Sequence, residues 1–180
     1  MRARSGRPKA RHQTARNSRR ARHEGPDALD RRLLAQLQDD ARTSTAELAR
    51  RLGLSGPGLQ KRLNKLQAQG VVERFATVVN RQAVGLDLLC FVQVMLAHHR
   101  PNSVRGFPGR VKAMPEVLEC HFLTGEVDYL LKVVVSGHDE LERFLFDKLM
   151  RVGGVDRIRT SIVVKEVKST TSLPLGASKR

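Results

Sequence analysis

Gln60, Lys61, Arg62, Asn64 and Lys65 place amides and cations on two successive turns of a leucine-spaced segment. Amide side chains pair two-pronged with base edges, and lysine or arginine pairs with guanine or phosphate, so the set has the chemistry of duplex readout. No acid stands between Ser55 and Gly70, whereas a helix that merely faces water ordinarily interleaves carboxylates for i,i+4 pairing. Ser55, Gly56 and Gly58 at the head of the segment add a hydroxyl cap and two positions without side chains, where a phosphate can approach a helix N-terminus. Arg42 and Arg74, one on each side, are candidate phosphate contacts.

No comparable set points to catalysis or a metal. Cys90 and Cys120 lie in separate apolar runs without CxxC spacing and read as small buried hydrophobes. His98 and His99 are adjacent, and His121 and His138 have no ligand-spaced Cys or His, so no metal site, cofactor or catalytic residue is expected.

The 180 residues carry 33 Lys+Arg against 18 Asp+Glu, a net charge of +15. Residues 2–24 hold nine of these cations and one acid, Glu24, a local excess of +8. With Ala as the only hydrophobic type after Met1, residues 1–26 read as a disordered basic tail drawn to polyanions, double-stranded DNA first. The tail lacks the Leu, Ile and Phe of an organelle transit peptide, and no secretory or membrane-spanning run follows. A cytoplasmic, nucleoid-associated protein is expected.

Periodicity supplies the elements that must hold the candidate readers. Leu29, Leu33, Leu34 and Leu37 recur at helical spacing after the acidic start Asp27 to Asp30. Ser44-Thr-Ala-Glu47 reads as a capping box for a short helix with Leu48, Ala49 and Leu52 on its apolar side. Gly53 stops that helix with Leu54 folding back on Ala49, and Ser55 caps a third helix whose Leu59, Leu63 and Leu66 point inward until Gly70. Two helices about a tight turn, the second basic outside, form a helix-turn-helix. Residues 71–79 read as two short β segments, a wing. The result is a winged helix-turn-helix over residues 27–75, followed by a linker, 76–85.

Residues 86–168 follow a different pattern. Leu88 to Leu96 is a strand apolar on both faces. Helices cover only one face of a small antiparallel sheet, so the other predicts a second copy, a homodimer at least. A helical region around 103–114 is weakened by Gly106, Pro108 and Gly109, and strands over 117–124 and 129–135 flank a turn at Gly125 to Asp128. A helix with Leu141, Phe144, Leu145 and Leu149, capped within Asp139 to Glu142, precedes a strand over 155–167. The order β, α, β, β, α, β is ferredoxin-like, so the fold class is α+β. Residues 169–180 read as a C-terminal tail.

From Leu29 to Val167 the chain resembles the Lrp/AsnC, or feast/famine, family of bacterial and archaeal transcriptional regulators. LDRRLLAQLQDDARTSTAELARRLGLS is similar to the family's opening helices and RLNKLQAQGVV to its recognition helix and wing entry, while TGEVDYLL and GGVDRIRTSIVVKEVK are similar to its ligand-sensing domain. The resemblance implies operator binding by a dimer, assembly of dimers into tetramers or octamers, and an amino acid or similar effector bound near Gly125, Glu126, Val127 and Asp128. Gly125 would let the ligand approach the backbone and Asp128 would take its ammonium group, although the same residue types also suit a plain turn. Two alternatives stand beside this reading. One is a nucleoid-type architectural protein with low sequence preference, suggested by the tail. The other is an enzyme resembling the sirohaem decarboxylases, which share the two-domain architecture and would use His121 and His138. The acid-free third helix and TGEVDYLL favour the regulator.

Overall fold

A computed structural model describes residues 25–97 and 101–175, with side chains described at all of these but 101–105. The basic run 2–24 and the His98-His99 pair lie outside them. The chain divides into two units, the described parts of Met1–Ala76 with those of Thr171–Arg180, and the described parts of Thr77–Thr170.

In the first unit, α1 (Ala28–Asp39) opens on a reciprocal cap. The Asp27 carboxylate accepts the Asp30 N–H at 2.7 Å, and the Asp30 carboxylate accepts the Asp27 N–H at 3.2 Å. The cap of α2 (Thr45–Leu52) is one-sided. Ser44 Oγ accepts the Glu47 N–H at 3.2 Å, but the Glu47 carboxylate binds Arg50 and Arg51 instead of turning back to Ser44, because a cationic donor makes the stronger hydrogen bond. Gly53, at φ 68°, ends α2 in the left-handed region, and the Leu54 N–H reaches the Ala49 carbonyl at 2.9 Å, as the Gly-Leu pair predicts. α3 (Gly56–Ala68) closes the same way through Gly70. Leu33, Leu34, Leu48, Leu52, Leu59 and Leu66 form the buried centre. Leu175, from the segment read as a tail, packs against it.

The two β segments expected over 71–79 do not form. The N–H groups of Val71 and Val72 both turn back to the Leu66 carbonyl, at 2.9 and 3.2 Å. The closing turn of α3 thus uses the donors that a first wing strand would need. The rest of the segment runs without a partner strand, leaving Phe75, Val78 and Val79 exposed.

The second unit begins inside the expected linker, with a 3-10 turn at Gln82–Val84. Its elements are β1 (Leu88–Leu96), α4 (Pro101–Lys112), β2 (Val117–Phe122), β3 (Tyr129–Val135), α5 (His138–Arg143) extended by a π-helical turn over Phe144–Leu149, and β4 (Val155–Ile162). The strand order is β2-β3-β1-β4 with every neighbouring pair antiparallel, the ferredoxin-like sheet. Cys90, Val92 and Val94 of β1 and Tyr129, Leu131 and Val133 of β3 share one core with Phe107 and Val111 of α4 and with Leu141, Phe144 and Leu149. α4 survives its Gly106, Pro108 and Gly109. Phe107 and Val111, one turn apart, are fully buried. At roughly 1.5 to 3 kcal/mol each, their burial offsets the roughly 3 kcal/mol that a proline costs inside a helix.

Three further expectations are corrected. β4 ends at Ile162 rather than 167, because the Val163 N–H bonds to Leu89 at the start of β1 and no described strand continues opposite; Val164 and Val167 are exposed. Cys120 is exposed on the edge strand β2, while Cys90 is buried in the centre. The N-cap of α5 is Gly137, which has no side chain to offer, and Glu140 accepts the Ser136 N–H at 2.6 Å in place of an Asp139 cap. On the sheet face away from α4 and α5, Leu89 and Val134 are nevertheless buried, and Phe91 remains 37% exposed.

Candidate nucleic-acid interface and effector loop

The presentation of α3 begins at its cap. Ser55 Oγ accepts the Gly58 N–H at 3.2 Å. A Cβ at residue 58 would stand 3.0 Å from that oxygen, whereas one at Gly56 would meet nothing within 4 Å. A side chain at residue 58 would thus press on the capping hydroxyl by a few tenths of an ångström, while Gly56 opens onto solvent. Pro57 occupies the first turn, where its missing N–H removes no intrahelical bond.

Gln60, Lys61, Asn64 and Lys65 are all exposed. Gln60 Nε2 donates to Asn64 Oδ1 at 2.8 Å. Two amides one turn apart are thereby pre-set, with the Gln60 oxygen and the Asn64 NH₂ left for a base edge. Among the described residues, neither Lys61 nor Lys65 forms an ion pair with a carboxylate. Their charge is available to phosphate.

Arg62 does not join this face. It donates through one nitrogen to Asp27 Oδ2 and Asp30 Oδ1, both at 2.7 Å. The Asp30 side chain is 2% exposed and that of Arg62 32%. The reason lies in the spacing. Residue 62 is three after Leu59 and four before Leu66, both fully buried, so it flanks the apolar stripe rather than opposing it. The Arg62 guanidinium, hydrogen-bonded to Asp27, holds that carboxyl below its ordinary range, and the two carboxylates raise Arg62 in turn. Asp30 is the residue that the sequence reading passed over. It precedes Leu33 and Leu34 by three and four positions, which already puts it on the buried side of α1.

Arg42 and Arg74 are exposed on the connections that flank the helix-turn-helix. The Asp40 carboxylate fixes the turn that carries Arg42, accepting its backbone N–H at 2.8 Å and the Thr43 hydroxyl at 3.1 Å. On α2, Arg50 and then Arg51 hold the Glu47 carboxyl down to about 2. Neither arginine is therefore a free cation. The structure thus gathers Gln60, Lys61, Asn64 and Lys65 on the capped helix, with Arg62 turned inward and Arg42 and Arg74 exposed on the neighbouring connections.

In the second unit Gly125, Glu126, Val127 and Asp128 form the β2–β3 connection. Gly125 has φ 123°, and an added Cβ would meet nothing within 4 Å, so the backbone angle and not crowding calls for glycine. Glu126 is exposed and Val127 half-buried. Asp128, expected to offer its carboxylate to a ligand, commits one oxygen to the Leu96 N–H at 2.7 Å, while its own N–H donates to the Val94 carbonyl at 3.0 Å. It ties the loop to the end of β1. His121 faces Glu119 at 3.0 Å on the exposed edge strand, and no group of three His, Cys, Asp or Glu among the described residues is placed to hold a metal ion. No described helix is long and apolar enough to cross a membrane.

Two family models match the chain: a winged helix-turn-helix DNA-binding model over residues 26–73 and the Lrp/AsnC ligand binding domain over residues 89–173. The leucine-responsive regulatory protein of Rhizobium meliloti is 33% identical over 149 residues, covering 83% of this chain and 96% of that protein. A transcriptional regulator of Neisseria meningitidis, solved as its L-methionine complex, is 35% identical with a TM-score of 0.79, covering 83% of this chain and 97% of that one. The feast or famine regulatory protein of M. tuberculosis, also solved with L-methionine, is 32% identical with a TM-score of 0.76, covering 83% and 99%.

Proposed function

Because the chain belongs to the Lrp/AsnC family of transcriptional regulators, we propose that it acts in the cytoplasm as a sequence-specific repressor or activator whose grip on DNA an amino acid adjusts. The observation that carries this reading is the exposed, acid-free face of α3, with the Gln60–Asn64 pair next to Lys61 and Lys65. Base contacts come from Gln60, Asn64 and Lys65. Phosphate contacts come from Lys61, Arg42, Arg74 and the N–H groups at Ser55 and Gly56, that of Gly58 being held by Ser55 Oγ, with the basic run 2–24 adding a sequence-independent attraction.

Homodimerisation through the open sheet face would set two copies of α3 in successive major grooves. Phe91, still 37% exposed on that face, supports a second copy there. Phe146, 61% exposed, is a separate apolar contact for tetramers or octamers. The loop Gly125 to Asp128 is the proposed effector site. The relatives solved with L-methionine support a free amino acid as the ligand class, with Glu126 the carboxylate left for its ammonium group.

Footprinting on the DNA upstream of the protein's own gene, with and without L-methionine or L-leucine, tests the reading. A regulator prefers one fragment over bulk DNA by a factor of about a thousand or more, and the amino acid shifts that protection. A preference of only a few-fold would favour an architectural DNA-binding protein, to which the basic run is also suited.

A further inference from the structure

We infer that Arg62 is a positioning residue that locks the orientation of α3 against the start of α1 through buried Asp30, and that it reads no base itself. The inference rests on the proposed DNA-binding role of α3. Among the described residues, Arg62 makes the one polar side-chain tie between α3 and the cap of α1, through a single nitrogen shared at 2.7 Å by Asp27 and Asp30. Asp30 is 1% exposed as a whole residue. Its carboxylate otherwise meets only the Asp27 N–H, at 3.2 Å. Swinging the guanidinium out to a base edge would leave a buried charge without its counter-ion, which is far more costly than losing a surface pair. Position and chemistry agree, since Asp27 and Asp30 are also reciprocal caps of α1. The same two carboxylates fix where α1 starts and how α3 is turned. A rotation of α3 about its axis would carry Gln60, Lys61, Asn64 and Lys65 away from the groove together.

Asp30→Asn and Arg62→Gln separate this role from direct readout, because Asp30 lies beneath α3 and cannot touch DNA. Affinities are measured for the footprinted operator, for single-base variants of it and for bulk DNA, at a temperature where circular dichroism shows each variant fully folded. Positioning predicts that both substitutions lower operator affinity by about tenfold or more. The loss is the same at every base position, any change in bulk-DNA affinity or salt slope is shared by the two variants, and the double variant binds no worse than either single one. Arg62→Lys, which keeps a charge near Asp30, should recover part of the loss. Relaxed preference at one base pair in Arg62→Gln with Asp30→Asn silent would make Arg62 a base reader and overturn the inference. A salt slope lower by about one in Arg62→Gln alone, with Asp30→Asn silent, would make it a phosphate contact and overturn it equally. If the wild type shows no sequence preference, the DNA reading itself fails. The tie is then judged by thermal unfolding of the same variants, where additive losses at 30 and 62 refute it and a shared loss upholds it.

Discussion

The Gln38 side chain pairs with the backbone of Leu173 in both directions, accepting its N–H at 2.7 Å and donating to its carbonyl at 3.1 Å. An amide side chain here does what a neighbouring strand would do, and two residues later Leu175 packs on the leucine cluster of the helix-turn-helix. A chain ending at Thr170 should therefore destabilise the first unit. Each hydrogen bond contributes about 0.5 to 1.5 kcal/mol and the half-buried leucine about 1 kcal/mol. Calorimetry should show the transition of the first unit falling by several degrees or more, with that of the second unit unmoved. Gln38→Ala should then add nothing in the shortened chain. An unmoved transition would mean that the segment contributes no stability where it lies.

Acid should loosen the first unit before pH 2. The Glu47 carboxyl is depressed from an ordinary 4.5 to about 2 by Arg50 and Arg51, and Asp27 is lowered by Arg62. A carboxylate with a depressed folded-state value contributes its stability above its unfolded value, and that contribution disappears as pH falls through the folded one. The pairing of Glu47 should thus persist at pH 4 and break only near about 2, while the stability it contributes declines between about 4.5 and 2. Carbon-detected NMR titration of Glu47 should find its midpoint near the lower figure. A midpoint near 4.5 would show that the pair does not hold in solution.

The helical spacing of leucines, the Gly-Leu stop at Gly53-Leu54 and the strand from Leu88 to Leu96 were legible because each is a local rule that tertiary packing also obeys. Less legible were the features in which several groups compete for the same donors or partners. Ser44 and Glu47 satisfy the capping-box pattern, yet the carboxylate goes to Arg50 and Arg51. Val71 to Val79 has strand-forming residues, but Leu66 takes its first two N–H groups. The charge of Arg62 points to DNA, but its angle between buried Leu59 and Leu66 turns it to Asp30. The pairing of Leu173 with Gln38 and the packing of Leu175 on the leucine cluster had no signal at all, because a short apolar segment does not reveal which surface receives it.

On α3 the two kinds of DNA contact should separate by salt and by sequence. Lys61→Ala should weaken operator and bulk DNA alike and lower the salt slope by about 0.9. Asn64→Ala removes one amide and frees its partner Gln60, bonded to it at 2.8 Å. It should cost about 1 to 3 kcal/mol on the operator, confined to one or two adjacent base pairs. Fluorescence anisotropy across a set of single-base operator variants distinguishes the two. A uniform loss in Asn64→Ala would remove the amide pair from the readout.

Oligomeric state should hinge on Phe91 without involving the core behind it. The side chain lies on the sheet face opposite Cys90 and Val92, which are fully buried against α4 and α5, so Phe91→Asp places a carboxylate outside that core and spares the fold. In a face-to-face dimer the same carboxylate would be buried against the partner's apolar sheet with no counter-ion supplied. Light scattering after gel filtration should show the mass falling from that of an assembled species to that of one chain, with an unchanged circular dichroism spectrum. Affinity for an operator with two half-sites should fall steeply, because the second α3 no longer arrives with the first, while a single half-site should be bound as before. An unchanged mass would place the dimer contact on another surface, and exposed Phe146 would be the next residue to replace.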